Sequence, residues 1–211
     1  SALDSSRNGL HGALFDLDPR AGRVNGYDGA FDPPEPMAVF LGAALEGNFA
    51  LELNGIDQYV MVQNEVIFDF TTGFALEIWI DIDRLPPAGE TMALISKGAS
   101  AFDLSVDDSG VAVFAVSGLS GDVTGNTPLE PGGWHHVAAI AELNPDTSLW
   151  NLILMLDGEI DSAEYGLTGT PDVNDLALCF GARPTPAKGV ESFLEGAIDE
   201  IRAWATARSP E

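Results

Sequence analysis

Basic residues are scarce in this chain. Lysine and arginine together number 9 against 33 aspartates and glutamates, which gives a formal net charge of -24 over 211 residues. Such a surface repels the phosphates of nucleic acids and anionic lipid headgroups, so we exclude both as partners. The acidity suits the binding of divalent cations. It equally suits solubility alone.

Cysteine and long apolar runs are also lacking. The lone Cys179 lies in an apolar stretch, so we exclude an intrachain disulfide and expect a small buried hydrophobic residue. The longest apolar run, residues 37–45, is interrupted by Gly42 and falls short of the ~18 residues that a membrane helix needs. We therefore expect no membrane insertion. No signal peptide opens the chain, so secretion would require its prior removal.

Helical periodicity is missing as well, apart from a short helix that we expect to begin at Ser209. Residues 1–48 are loop-like and rich in glycine, aspartate and proline. Short alternating segments typical of strands follow from residue 49, with turns rich in glycine and proline. They cover residues 49–53, 59–62, 74–83, 92–96, 102–106, 111–117, 134–143, 149–156, 176–181 and 193–204. This pattern predicts an all-β fold, a single antiparallel two-sheet β-sandwich of jelly-roll type spanning residues 1–211.

Two details of these strands carry predictions. The Asn54-Gly55 pair predicts a tight hairpin between the first two strands. In residues 74–83, isoleucine, leucine and phenylalanine alternate with a polar set comprising Glu77, Trp79, Asp81 and Asp83. One face of that strand is therefore expected to lie in the core and the other to point away from it.

The closing strand contains an anomalous carboxylate. Strict alternation over residues 193–204 places Asp199 on the same face as Ile201 and Ala203. A carboxylate on an apolar face needs an ion pair, hydrogen bonds or a metal. The alternative is a side chain that reaches water at the edge of the sheet.

Several segments, taken in order, resemble the LamG-like jelly-roll modules of the concanavalin A-like lectin/glucanase superfamily. They are the Asp-Ser-Ser loop at residues 4–12, the segment 53–60, the Trp-His-His-Val-Ala segment 134–138, the Leu-Asp-Gly turn 156–158 and the closing segment 196–204. Two features depart from the family pattern. Only three residues precede the loop where the family has a strand, and Arg7 replaces a glycine. We expect the chain to be one module excised from a larger protein, with that strand removed or supplied from elsewhere.

The resemblance implies a calcium site between the Asp-Ser-Ser loop and the last strand. Calcium takes six to eight oxygen ligands. Asp4 and Asp199 would supply carboxylates, Asn8 a further oxygen and His11 its backbone carbonyl. The alternative is that Asp4 caps the turn through Ser6, while Asp199 accepts hydrogen bonds from the loop.

One motif points to catalysis. Glu159, Asp161 and Glu164 match the Glu-x-Asp-x-x-Glu pattern of laminarinase-like retaining glycoside hydrolases, which use two carboxyl groups about 5–5.5 Å apart. The preceding Asp157-Gly158 turn places these residues on a returning strand at the rim, and no tryptophan lies beside them to raise a carboxyl pKa. We therefore expect a protein that is not an enzyme.

Other candidate side chains have structural interpretations. His135 and His136 point to opposite faces of one strand and cannot share a site. Trp150 is the best candidate for an aromatic ring stacked on a sugar, although core packing is the favoured role.

The resemblance implies a recognition module of a secreted or cell-surface protein, stabilised by calcium. Its expected partner is a glycan or an extracellular protein surface, together with other domains of the parent chain. Two alternatives stay open. One is a glycoside hydrolase or lyase that uses Glu159, Asp161 and Glu164. The other is a structural spacer within a multidomain adhesin.

Overall fold

The structure is a computed structural model that describes residues 13–15, 23–25, 49–63, 65–187 and 189–208. Two antiparallel sheets of seven strands pack face to face. The first sheet contains, in spatial order, β1 (Ala13–Phe15), β4 (Tyr59–Val62), β13 (Leu178–Phe180), β6 (Thr91–Ser96), β7 (Phe102–Asp107), β8 (Ala112–Val116) and β9 (Val123–Thr124). The second contains β12 (Glu159–Leu167), β11 (Leu149–Leu156), β10 (His135–Asn144), β5 (Phe74–Ile82), β16 (Glu195–Trp204), β3 (Phe49–Asn54) and β2 (Arg23–Asn25). A ribbon of β14 (Arg183–Pro184) and β15 (Val190–Glu191) completes the described strands. The predicted antiparallel β-sandwich is confirmed.

The core lies between the two sheets and follows from strand alternation. Five apolar residues of β5 face inward at alternate positions and are at most 1% exposed: Phe74, Leu76, Ile78, Ile80 and Ile82. The Phe74 ring packs against Phe102 from the first sheet, with centroids 5.2 Å apart. Burial of such side chains at about 1.5–3 kcal/mol each drives the two sheets together.

The helical content is as low as the sequence predicts. The described residues contain one short 3-10 helix, η1 (Glu65–Phe68), whereas Ser209 lies outside them. No helix in the described ranges is long and apolar enough to span a membrane.

The predicted hairpin at Asn54-Gly55 is wrong. β3 pairs with β2 and β16 in the second sheet, whereas β4 pairs with β1 and β13 in the first. The Asn54 side-chain oxygen accepts hydrogen bonds from the backbone N–H groups of three following residues at 3.0–3.3 Å, which makes a wider turn. That turn carries the chain across the edge of the sandwich, so that Leu53 and Val60 reach the core from opposite sheets.

A buried lysine fastens two loops to the first sheet. Lys97 follows β6, and its side chain is 0% exposed. Its ammonium donates to Glu65 Oε2 at 3.2 Å, to Asp69 Oδ1 at 2.6 Å and to the backbone carbonyl of Asn174. The ammonium therefore ties η1 and the loop before β13 to the same strand end.

The outer surface of the first sheet also carries a paired charge. The Arg183 guanidinium donates from Nε and Nη2 to both oxygens of Asp103, at 2.9 and 2.6 Å. The Asp103 side chain is 8% exposed, and the Arg183 side chain is 17% exposed. This two-point pair fastens the β14–β15 ribbon over β7.

Candidate binding face

The surface of the second sheet that points away from the core carries a group of polar and aromatic side chains on its three central strands. The strand register sets these side chains in three rows that cross β10, β5 and β16. We call this surface the central face, and its rows are His136–Trp79–Asp199, Ala138–Glu77–Arg202 and Ile140–Ala75–Trp204.

A β-bulge in β16 creates this arrangement. Asp199 lies opposite Trp79 while Arg202 lies opposite Glu77, so β16 holds one residue more than β5 over the same span. Glu200 adopts φ +48°, a left-handed backbone conformation that is rare outside glycine. The extra residue turns Arg202 and Trp204 onto the face that carries Asp199.

The bulge also corrects the prediction for Asp199. This carboxylate faces away from the core, opposite Trp79, and not toward an apolar face shared with Ile201. Ile201 packs against the core cluster on the other side of the sheet. Strict alternation failed here because the inserted residue changes the face on which every later side chain lies.

The aromatic row takes its name from two of its three residues, Trp79 and His136. Their ring centroids are 5.1 Å apart, and the rings are tilted by 45°. Both side chains are half-buried. Burial lowers the pKa of His136 from its ordinary value, with Arg202 acting in the same direction, although Glu77 and Asp157 oppose the shift. The imidazole is therefore neutral near pH 7 and behaves as a second aromatic surface beside the indole.

Glu77 of the charged row contacts both Arg202 in its own row and Trp204 in the apolar row. Glu77 Oε1 accepts a hydrogen bond from the indole Nε1 of Trp204 at 3.0 Å, and Glu77 Oε2 lies 3.6 Å from Arg202 Nη1. Arg202 Nη2 also donates to Glu200. Arg202 is thus held between two carboxylates while its side chain stays 36% exposed. A guanidinium fixed in this way can still offer its other N–H groups outward.

The apolar row closes one end of the central face. Ala75, Ile140 and Ile153 are 1–7% exposed, and Trp204 and Ala207 pack against them. The Arg208 guanidinium lies over the Trp204 ring, 4.3 Å from its centroid. Residues that follow β16 therefore cover this row. In the aromatic and charged rows, Trp79 and His136 are half-buried and Arg202 has the most exposed side chain, at 36%, whereas Ala138 and Asp199 are buried.

The predicted calcium ligands lie only partly within the described residues. Asp4, Asn8 and His11 lie outside them. Asp199 is 9% exposed, and its Oδ1 accepts the N–H of Glu200 at 2.8 Å. Among the described residues there is no group of three or more histidine, cysteine or acidic side chains able to hold a metal ion. A nearly buried carboxylate suits an oxygen ligand for calcium, but the other ligands would have to come from the N-terminal loop.

The predicted catalytic motif lies on β12, an edge strand away from the central face. Asp161 Oδ2 accepts hydrogen bonds from the backbone N–H groups of Asn126 and Thr127, at 2.7 and 3.4 Å. Glu159 and Glu164 are exposed. The middle carboxylate of the motif therefore fastens a neighbouring loop.

Three structural interpretations are confirmed. Trp150 is 2% exposed and belongs to the core. His135 Nδ1 lies 2.8 Å from Asp157 Oδ2, so its ring is held at the end of the sheet. Cys179 is fully buried, and burial raises the pKa of its thiol to about 12, which makes it unreactive.

Alternation predicts that Glu77 and Trp79 share one face, but it does not reveal Arg202 and Trp204 as their neighbours. The only available signal was the acidic-basic pair Glu200 and Arg202 beside Trp204 in the closing strand. Neither the bulge nor the pairing of β16 with β5 follows from that pattern, because the two strands lie more than a hundred residues apart.

A sequence profile of the Laminin_G_3 family, described as the concanavalin A-like lectin/glucanases superfamily, matches residues 54–211. The chain therefore belongs to this family, as its resemblance implies. No curated protein sequence matches it.

Solved structures with the same fold include binding domains. Domain 4 of AbnA, an extracellular GH43 arabinanase from Geobacillus stearothermophilus solved with arabinotriose, has a TM-score of 0.56 at 15% identity, covering 80% of this chain and 76% of that one. The CBM40 of the Ruminococcus gnavus IT-sialidase, bound to α2,3-sialyllactose, has a TM-score of 0.58 at 12% identity, with coverage of 76% and 91%. The binding domain of Paraclostridial Mosquitocidal Protein 1 has a TM-score of 0.64 at 16% identity, covering 99% of this chain and 48% of that one. At these identities the similarity shows a shared fold.

Proposed function

We propose that this chain is a non-catalytic glycan-binding module and that the central face is its binding surface. The observation that carries the proposal is the placement of the Trp79–His136 ring pair directly beside the Glu77–Arg202–Glu200 ion network. The similarity in fold to the arabinotriose- and sialyllactose-bound domains supports a glycan as the ligand.

The aromatic and charged rows offer the two kinds of contact that a sugar can make. A pyranose or furanose ring presents C–H groups on one face, which pack against an aromatic surface, and hydroxyl groups around its edge. Glu77 and Arg202 supply an acceptor and donors beside the rings, and their mutual ion pair fixes both side chains before a ligand arrives. A few well-placed polar groups next to an aromatic surface are the usual composition of a small-molecule site.

We also propose that this chain does not hydrolyse the glycans that it binds. The carboxylates of the glycosidase motif lie on β12, and Asp161 is engaged by backbone N–H groups. We expect no hydrolysis of β-glucans by the wild-type chain. Hydrolysis that disappears in Glu159→Gln would establish the hydrolase alternative instead.

A glycan array with a tryptophan variant tests the proposal. Trp79→Ala should abolish binding to every glycan that the wild type retains, because the ring surface is lost. Tyr165→Ala is the matched control, since Tyr165 is an exposed aromatic residue, 65% accessible, on the edge strand β12. Equal binding by Trp79→Ala and wild type would refute the central face as the site. Absence of glycan binding by a folded wild type would favour the structural-spacer alternative.

The proposed setting is an extracellular or cell-surface protein in which this module sits beside other domains. Within that setting we propose calcium as a stabilising ligand held by Asp199 with Asp4, Asn8 and His11. A ligand at a hundred times its Kd stabilises the folded state by about 2.7 kcal/mol. Calcium should therefore raise the thermal midpoint, and a chelator should lower it.

Asp199→Asn should remove the response to calcium, whereas Asp122→Asn, which changes an exposed aspartate, should keep it. If calcium does not change the thermal midpoint of the wild type, the proposed calcium site is refuted.

A further inference from the structure

We propose that the central face selects uncharged glycans and rejects sialylated, uronate and sulfated ones. This inference rests on the proposed glycan-binding function and adds the chemical class of the ligand. Its basis is that Arg202, the only cation among the described residues of the three rows, is already paired with two carboxylates, Glu77 and Glu200.

Arg202 is the group that an anionic sugar would need. Recognition of a carboxylate by arginine normally uses two parallel N–H donors of one guanidinium. Here Arg202 Nη1 lies 3.6 Å from Glu77 Oε2, and Nη2 donates to Glu200. An incoming carboxylate would compete with two resident carboxylates that belong to the same folded strands. The ion network as a whole carries more negative than positive charge.

The remaining charges strengthen this discrimination. Asp81 follows Trp79 on the same face of β5, so a further carboxylate lies on the side of the sheet that carries the rings. Desolvation by burial, reinforced by Asp83, raises the pKa of Asp81, which indicates a site that already disfavours negative charge. His136, made neutral by burial, adds no positive charge. Arg208 lies over the Trp204 ring in the covered row. Among the described residues of the aromatic and charged rows, there is therefore no cation without a carboxylate partner.

An uncharged sugar meets none of these penalties. Its hydroxyl groups donate to carboxylates, and hydrogen bonds to ionised acceptors are about twice as strong as those between neutral groups. The net charge of -24 lowers the local concentration of anionic glycans further, whereas it has no effect on neutral ones. Both the contacts and the long-range field favour the same class of ligand.

Matched glycan pairs test this inference on the wild-type chain. The array should include neutral oligosaccharides such as arabinotriose and lactose, together with acidic counterparts such as α2,3-sialyllactose and glucuronate-capped or sulfated forms. We expect retained ligands to be neutral, with each acidic counterpart bound at least about tenfold more weakly, because like charges in contact are strongly unfavourable. Binding of an acidic glycan as tight as its neutral counterpart would overturn the inference while leaving the proposed function intact. Absence of all binding would overturn the proposed function, and the inference with it.

A charge variant tests the mechanism of selectivity. The double variant Glu77→Gln/Glu200→Gln frees Arg202 from its carboxylates, so binding of acidic glycans should rise by about tenfold or more relative to their neutral counterparts. Glu159→Gln is the control, because it removes an exposed carboxylate on the edge strand of the same sheet. An equal rise in the control would assign selectivity to the overall charge of the protein, and no rise in the double variant would refute the role of the Arg202 network.

Discussion

Lys97 and Arg202 occupy similar local arrangements with opposite consequences. Each cation lies between two carboxylates, Glu65 and Asp69 around Lys97, and Glu77 and Glu200 around Arg202. The Lys97 side chain is 0% exposed, whereas the Arg202 side chain is 36% exposed. This difference in burial gives Lys97 a role in the fold and leaves Arg202 able to contact a ligand. An ammonium that cannot reach water must keep its partners, but a partly exposed guanidinium can keep its carboxylates and offer its remaining N–H groups to a ligand.

The geometry of the two groups supports the same distinction. Lys97 also donates to the backbone carbonyl of Asn174 and so joins three chain segments at one atom. Arg202 contacts side chains of two adjacent strands that are already joined by their own backbone hydrogen bonds. Loss of the Lys97 ammonium therefore removes a contact that three segments share and leaves the loop before β13 with the hydrogen bonds of the Asn174 side chain to the Lys97 backbone carbonyl and to Ser100. Loss of Arg202 leaves the strands paired.

The largest expected effect is that of Lys97→Met. This change removes the ammonium and leaves two carboxylates that are 21% and 27% exposed, so water relieves only part of the loss. We expect the free energy of unfolding to fall by about 3 kcal/mol, within the range for breaking a buried ion pair. Urea unfolding followed by tryptophan fluorescence measures it. A loss below about 1 kcal/mol, the value typical of a surface pair, would remove the contrast with Arg202.

Asp103→Asn is expected to have the next largest effect. The Asp103 side chain is only 8% exposed and binds Arg183 at two points. Loss of its charge should lower the free energy of unfolding by about 2 kcal/mol, typical of hydrogen bonds to charged groups. Glu191→Gln is the control in the same unfolding experiment, because Glu191 lies 3.8 Å from Arg183 and is 59% exposed. Equal losses in the two variants would show that burial does not determine how much these ion pairs contribute to the free energy of unfolding.

A smaller effect is expected from the pH dependence of His136. Burial lowers its folded-state pKa below the ordinary value of 6.5. When the pH falls through 6.5, the unfolded chain takes up a proton at this histidine before the folded chain does, so the free energy of unfolding decreases. His136→Gln should lose less stability than the wild type between pH 7.5 and pH 5.5. Above pH 7.5 the stabilities of the two proteins should change with pH in parallel, whereas a parallel decline between pH 7.5 and pH 5.5 would contradict the lowered pKa of His136.

The two layers of the fold and most of its strands can be predicted from the sequence, because alternation and turn residues are patterns of neighbouring residues. The core face of β5 followed directly from its five alternating apolar residues. The pairing of strands did not follow: the Asn54-Gly55 turn has the composition of a hairpin, yet it links two sheets through the Asn54 side chain. Turn composition specifies a change of direction, whereas tertiary packing decides which strand becomes the neighbour.

The candidate site was less accessible to sequence reasoning than the fold. Alternation predicts that Asp199 shares an apolar face with Ile201, but the bulge after Asp199 moves Ile201 to the other side of the sheet. The favoured core position of Trp150 is confirmed, whereas no pattern in the sequence distinguishes Trp79 as the ring that lies beside His136 on the outer face. A single inserted residue in a strand changes which side chains share a face, and no composition signal marks it.

The most direct test of this account combines two measurements on Arg202→Gln. The free energy of unfolding should change by less than about 1 kcal/mol, as expected for a surface ion pair. Affinity for the neutral glycan that binds the wild type most tightly should fall by about tenfold or more, because the variant loses charged donors beside the Trp79–His136 rings. Unchanged affinity at unchanged stability would contradict the assignment of the central face. A loss of stability as large as that of Lys97→Met would show that Arg202 supports the fold and does not serve recognition.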